Sequence, residues 1–167
     1  TQKYYDGQVP QGNLKLTLSE TISKITSSLD KFNQRQALEA YMEIARIGNK
    51  YLQDTEPWKL IKDAANAQTV ADCLFTCIQI TKELGRYAQI FLPETACTLT
   101  GMLNITSYDQ EILPGHKLNK PKLLFEKIED ALIEEQKAKL HKTKEVNEST
   151  LSQSAEDEGK PTEPFKA

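Results

Sequence analysis

From residue 18 onward, apolar positions recur at the three-and-four spacing of an α-helix, interrupted at a few places by proline, glycine and asparagine. Leu18, Ile22, Ile25, Leu29 and Phe32 form the first stripe, with Thr17 and Glu20 spaced as a capping box, and predict a helix over about Leu18 to Phe32. Asn33 suits the N-cap of a second helix, which carries Leu38, Tyr41, Ala45, Gly48 and Leu52 on one face. Gly48 costs about 1 kcal/mol against alanine inside a helix, so it predicts a close helix crossing as compensation. Thr55 or Glu56 can cap a short helix that opens with Pro57, whose missing N–H would have no intrahelical partner in a first turn, and that ends near Asn66. The most regular pattern, Val70, Leu74, Cys77, Thr81, Leu84, Ala88 and Phe91, predicts a central core helix ending at Leu92, because proline disfavours a helical residue before it. A shorter helix follows from Pro93 to about Leu103.

The remaining segments lack that period. Thr1 to Asn13, interrupted by Gly7, Pro10 and Gly12, reads as an irregular lead-in crossing the surface. Between Asn104 and Lys120, the turn pair Pro114-Gly115 separates Tyr108–Leu113 from His116–Leu118, which predicts a small hairpin. Helix restarts at Pro121 with Leu124, Ile128, Leu132 and Ile133 and continues towards Leu140. Thr143 to Ala167 is acidic, Ser- and Pro-rich and poor in apolar residues, the composition of a disordered linker or tail. The expected architecture is all-α: an antiparallel helix bundle over residues 1–142, with a small hairpin before its last helix, and an acidic tail over 143–167.

Charge sharpens this picture. The formal net charge is −3, and the tail alone carries six acids against three lysines, so residues 1–142 are neutral. Such a domain lacks the basic excess of a protein that binds nucleic acid mainly through phosphates; any RNA contact should be local and stacking-based. No apolar run approaches the ~20 residues of a membrane span. The chain has neither an initiator methionine nor a signal-like start, and Thr1 is expected to be an internal boundary of a longer chain. Cys73, Cys77 and Cys97 include no Cys-x-x-Cys, and with only His116 and His141 elsewhere no zinc site is expected. Cys73 and Cys77 share a helix face and read as small buried hydrophobes, which fits a reducing cytoplasm. There is no glycine-rich phosphate loop and no Ser/His/Asp set, so no catalytic site is expected; His116 beside Lys117 reads as structural.

The candidate chemistry lies in Asn49-Lys50-Tyr51-Leu52-Gln53-Asp54-Thr55-Glu56-Pro57-Trp58, which holds the only tryptophan. A ring at a helix entrance can pack in the core, or it can offer a flat face to a base beside N–H groups that favour a phosphate. Arg46, Lys50, Lys59 and Lys62 are either solvated surface cations or contacts to an RNA backbone. Asn49 either ties down the loop or contacts RNA directly.

Asn49, Tyr51, Pro57 and Trp58 resemble the corresponding segment of the anticodon-binding domain of methionyl-tRNA synthetases. Tyr4-Tyr5-Asp6-Gly7 is similar to the aromatic-Asp-Gly segment that follows that domain's first helix, Tyr87 to Pro93 to its helix-ending leucine-proline, and Pro114-Gly115-His116-Lys117-Leu118-Asn119 to the Gly-His-Lys hairpin near its end. These landmarks occur in the family's order over about residues 4 to 135.

The resemblance implies the helical anticodon-binding bundle of a class I aminoacyl-tRNA synthetase, with Trp58 stacking on the first anticodon base, a cytosine, of methionine tRNA (CAU anticodon). Pro57, Asn49, Lys59, Lys62, Arg46 and Lys50 would support or contact the RNA. The family's first helix, with the Asn and Arg that choose cytosine, would precede Tyr4. The HIGH and KMSKS signatures are absent, so catalysis, with ATP, magnesium and zinc as the parent's candidate cofactors, would lie in an upstream domain. The tail, ending Glu163-Pro164-Phe165-Lys166-Ala167, is similar to linkers leading to an oligonucleotide-binding-fold module. The alternative from a different class is a non-catalytic helical protein-interaction module with Trp58 in its core.

Overall fold

The computed structural model describes residue 3 and residues 5–157, with 145–157 described by their backbone alone. The elements are α1 (Ser19–Asp30), α2 (Gln34–Thr55), α3 (Pro57–Leu60), a 3-10 turn (Ala64–Asn66), α4 (Ala67–Phe91), α5 (Pro93–Leu103) and α6 (Asp130–Asp157). The chain divides into two units, Thr1–Leu124 and Phe125–Ala167, ahead of the expected boundary at residue 142.

In the first unit α4 is the axle: α2, α3 and α5 all pack on it, and α1 packs on α2. Contact from several sides explains why α4 buries Val70, Ala71, Cys73, Thr76, Ile78, Ile80, Gly85 and Ala88 around its whole circumference rather than along one stripe. The core joins Ile25 of α1, Ala37, Tyr41 and Ile44 of α2, Ile78 and Ile80 of α4, and Ala96 and Leu103 of α5. Tyr41 and Phe91 stack with ring centroids 5.5 Å apart. Gly48 sits where α2 crosses α4, and a Cβ there would lie 3.0 Å from Ile80 Cγ2, which is the close crossing its sequence position predicts.

The local stop and start signals act as expected at several places. Asn33 Oδ1 accepts the Gln36 N–H at 3.2 Å to cap α2. Pro93 ends α4 and opens α5, which finishes at Leu103. Elsewhere the structure differs. The Thr17–Glu20 capping box does not form: the N-cap of α1 is Leu18, with no side-chain cap. The buried face of α2 is Ala37, Tyr41 and Ile44, leaving Leu38 43% exposed. This stripe and the expected one share Tyr41 and Gly48 and are offset by about one residue elsewhere, which periodicity alone does not resolve.

The lead-in is part of the core. Val9 is buried, and its N–H bonds His116 O at 2.9 Å while its carbonyl accepts Gly115 N–H at 2.8 Å. Leu118 N–H reaches Gly7 O at 2.8 Å, and Gln8 forms an antiparallel bridge with Lys117. The hairpin expected between Tyr108–Leu113 and His116–Leu118 is therefore absent, because residues 115–118 pair with residues 7–9 instead. His116 is structural: Nε2 lies 2.8 Å from Leu103 O, and Asn119 bonds Met102 O through its backbone N–H at 3.0 Å and Gly101 O through Nδ2 at 2.7 Å. The Gly-His-Lys segment thus satisfies the carbonyls left open at the C-terminus of α5.

Asp72 of α4 anchors the other end of the lead-in. Its carboxylate accepts Asn13 N–H at 2.8 Å, Lys15 Nζ at 2.9 Å and Gln68 Nε2 at 2.9 Å. Those contacts, the Asn13 amide foremost, hold its pKa down from 3.8 to about 2. The folded state therefore binds its proton less readily than the unfolded chain, so the stabilisation is complete above pH 3.8 and is lost as pH falls through about 2. Urea unfolding midpoints of the native protein and Asp72→Asn are expected to differ by a constant amount near neutrality and to converge over that acid window. A gap independent of pH would contradict the linkage.

The second unit contains α6. It begins at Asp130 rather than Pro121, because residues 117–122 stay extended while closing the end of α5, with Lys122 N–H on Met102 Sδ at 3.0 Å. Asp130 places an acid in the first turn, where the helix dipole favours it. α6 runs through Thr143 to Asp157, where composition predicts a disordered tail; Lys137–Glu134 and Lys139–Glu135 pairs and a high share of helix-forming residues support it. Tyr4 and Glu158–Ala167, including the linker-like end, lie outside the described residues.

Candidate nucleic-acid interface

The last turns of α2 are stitched to α4. Tyr51 is half-buried, and its phenol pKa is raised by burial, opposed by hydrogen bonds with Thr76 and Thr55. Thr55 Oγ1 donates back to Tyr51 O at 2.8 Å. Behind them the thiol of Cys77 is pushed up to about 12 by burial, and Cys73 is raised for the same reason, so both stay protonated and act as small apolar groups. Cys97 is exposed.

With its supports fixed, the chain turns sharply. Glu56 adopts the left-handed conformation (φ 44°, ψ 53°), and its N–H closes α2 on Leu52 O at 3.1 Å. Pro57 follows at the first position of α3 and is buried, seating the turn on α4. Trp58 comes next and is 48% exposed. Trp58 is thus half in solvent at the entrance of α3, next in sequence to a buried proline. The chain then passes Asp63, whose carboxylate caps the 3-10 turn through Ala65 N–H at 3.0 Å and binds Asn66 Nδ2 at 3.3 Å.

Neither expected side-chain cap of α3 is made. The Thr55 hydroxyl bonds within α2, and the Glu56 carboxylate pairs with Lys59 Nζ at 2.6 Å. The phosphate-binding entrance expected beside the ring is not built either. Pro57 has no N–H, and the N–H groups of Lys59 and Leu60 both bond Glu56 O, at 2.8 and 3.3 Å. A four-residue helix also has little dipole to offer.

Trp58, Lys59 and Lys62 are exposed at this corner while Pro57 is buried; Lys62 makes no ion pair among the described residues. Asn49 and Lys50 are exposed in the last turns of α2, and Asn49 makes no bond to the loop that would tie it down. Arg46 is not brought to the corner. It lies about 14 Å back along the α2 axis, pairs with Glu43 at 3.0 Å, and lines a cleft of about 700 Å³ between α1 and α2. The sequence offered Glu56 as a cap of α3, whereas its carboxylate pairs with Lys59, an acid and a base one helical turn apart.

Among the described residues no group of His, Cys, Asp and Glu could hold a metal, and no helix is long and apolar enough to cross a membrane. Residues 7–145 match the family model described as the anticodon-binding domain of methionyl-tRNA ligase. The methionine–tRNA ligase of Bacteroides fragilis is 45% identical over 163 residues, covering 89% of this chain and 24% of that protein. The enzyme of Porphyromonas gingivalis is 43% identical over 171 residues, covering 93% of this chain and 25% of its own length. The chain thus spans about a quarter of these relatives. In fold it is similar to methionyl-tRNA synthetase of Mycobacterium tuberculosis in its free state, with a TM-score of 0.66 at 20% identity over 77% of this chain and 30% of that one. The half-open tryptophan, the Gly-His-Lys seal on α5 and these matches together place the chain in the family of anticodon-binding domains of methionyl-tRNA ligases.

Proposed function

We propose that this chain serves a cytoplasmic methionine–tRNA ligase by holding the anticodon of methionine tRNA (CAU), with Trp58 stacking on its first base, cytosine. An upstream class I catalytic domain, using ATP with magnesium and with zinc as a further candidate, would activate methionine and transfer it to the tRNA. A downstream oligonucleotide-binding-fold module would add grip where the linker leads to one. The observation that carries this reading is the 48% exposure of Trp58 at the entrance of α3, next to buried Pro57. The same exposure removes the core tryptophan on which a plain interaction module would depend. Lys59 and Lys62 are the nearest cations to a stacked nucleotide, and the neutral composition of residues 1–142 fits a contact based on stacking with a shallow salt dependence.

Because Trp58 is the only tryptophan, its fluorescence reports the site alone. Iodide should quench it readily in the free chain, and an anticodon stem-loop of methionine tRNA should quench it by stacking while shielding it from iodide. Emission indifferent to both iodide and the stem-loop would refute the stacking assignment.

A further inference from the structure

A cavity of about 570 Å³ lies among residues 14–22, α4 and residues 111–113, with Leu16, Ile22, Phe75, Ile80 and Ile112 as apolar walls. That size and lining are those of small-molecule sites, which add a few placed polar groups to a mostly apolar surface. We propose that this cavity binds an aliphatic carboxylate, its hydrocarbon chain against the apolar walls and its head group held by Lys82 and the open N-terminus of α1. No residue of the Trp58 corner lines the cavity, so the site is separate from the RNA contact and does not depend on it.

Two independent observations supply the positive end. Lys82 lines the cavity and is only 8% exposed, yet no hydrogen bond or ion pair holds its ammonium among the described residues. Asp72, the other buried charged residue of α4, is bonded to Asn13, Lys15 and Gln68. A buried charge without a partner is costly, and an arriving anion relieves that cost. The nearest acid in the electrostatic sense, Asp109, is bonded to Arg86 Nη1 at 2.6 Å, and Lys82 contributes least among the causes that lower its pKa. The second observation is the start of α1. Leu18, Ser19 and Ile22 line the same cavity, no side chain caps this helix, and its first bond runs from Ile22 N–H to Leu18 O at 2.9 Å. The N–H groups of Ser19 to Thr21 therefore have no intrahelical partner, and the helix dipole adds to their preference for an anion.

The remaining groups narrow the ligand. Two acids also line the cavity: Glu83, which pairs with Arg86 Nε at 3.3 Å, and Glu111, which is exposed. Glu20, in the first turn of α1, is bonded to Lys24 at 3.0 Å. With acids this close, a phosphate ester, which brings a charge of about −1.5 to −2, is disfavoured, whereas a carboxylate brings one charge for one ammonium. A charge-assisted hydrogen bond to Lys82 fixes the head. The apolar walls then reward length, by about fourfold in affinity for each methylene buried.

The test is calorimetric titration of the full-length ligase with octanoate, hexanoate and octanol. Octanoate is expected to bind about tenfold more tightly than hexanoate and about 10- to 100-fold more tightly than octanol. Lys82→Met keeps an apolar stem and should make octanoate and octanol bind alike. Its thermal unfolding midpoint should equal or exceed the native one, since an apolar side chain replaces an unpaired buried charge. Leu16→Trp fills the cavity and should remove binding of both probes. The proposal is overturned if octanoate does not bind, if it keeps its advantage over octanol in Lys82→Met, or if Leu16→Trp leaves binding unchanged. Binding to the separate 167-residue chain that is missing in the full-length ligase also overturns it, because another part of the ligase then covers the cavity.

Discussion

In the full-length ligase, Trp58→Ala is expected to lower kcat/KM for charging methionine tRNA by about 5- to 150-fold while leaving methionine activation by ATP unchanged. The range follows from base–aromatic stacking, which contributes about 1–3 kcal/mol per base, at about 1.4 kcal/mol per factor of ten. The split follows from position. Trp58 opens α3 on a corner stitched to α4 through Tyr51, Thr55 and Pro57, and its ring is not part of the buried core, so removing it spares that anchorage. The cost in fold stability should accordingly stay below the ~3–5 kcal/mol of a core tryptophan. Equal losses in activation and charging, or a charging rate that does not change, would show that the ring contributes no RNA contact.

Gly85→Ala is expected to harm the fold. A Cβ there would stand 2.4 Å from Cε1 and from the hydroxyl of Tyr108, closer than atoms pack without displacement. Tyr108 cannot easily give way, because it is buried and its hydroxyl donates to Ala96 O at 2.6 Å, while its own carbonyl accepts from Arg86. Arg86 is in turn held by Asp109 at 2.6 Å, so the segment after α5 is pinned to α4 at this contact. Overpacking costs about 1–3 kcal/mol, and displacing the buried Tyr108 hydroxyl from Ala96 O adds about 1–3. Against these, alanine gains about 1 kcal/mol over glycine in helix propensity. The net is a loss of roughly 1–5 kcal/mol, and thermal unfolding followed by circular dichroism should show a midpoint lowered by about 2–20 °C. An unchanged or raised midpoint would mean that helix propensity outweighs the contact.

The two predictions draw on different levels of information. Asn33 as a cap, Pro93 as a helix break, Pro57 at a helix entrance and Gly48 at a crossing were all legible in the chain, because each depends on backbone preferences within a few residues. The Asn-x-Tyr and Pro-Trp residues pointed to the family for a related reason: they build one local corner. Contacts between residues far apart in the chain were not legible. The strand-like run after Pro114-Gly115 reads as half of a hairpin, yet its partner is the lead-in, more than a hundred residues away in sequence. Asp72 reads as one more polar helix position until Asn13, Lys15 and Gln68 converge on it.

The sequence by itself determined the cap of α2, the break between α4 and α5 and which family the chain resembles, since local propensity and short motifs act over single turns, but not the end of α3, which falls at Leu60 rather than near Asn66. Only the tertiary structure decided that Trp58 is half in solvent, that Arg46 pairs with Glu43, and that Glu56 pairs with Lys59 instead of capping α3. Exposure is set by what packs on a residue from elsewhere in the chain, and no local pattern encodes that.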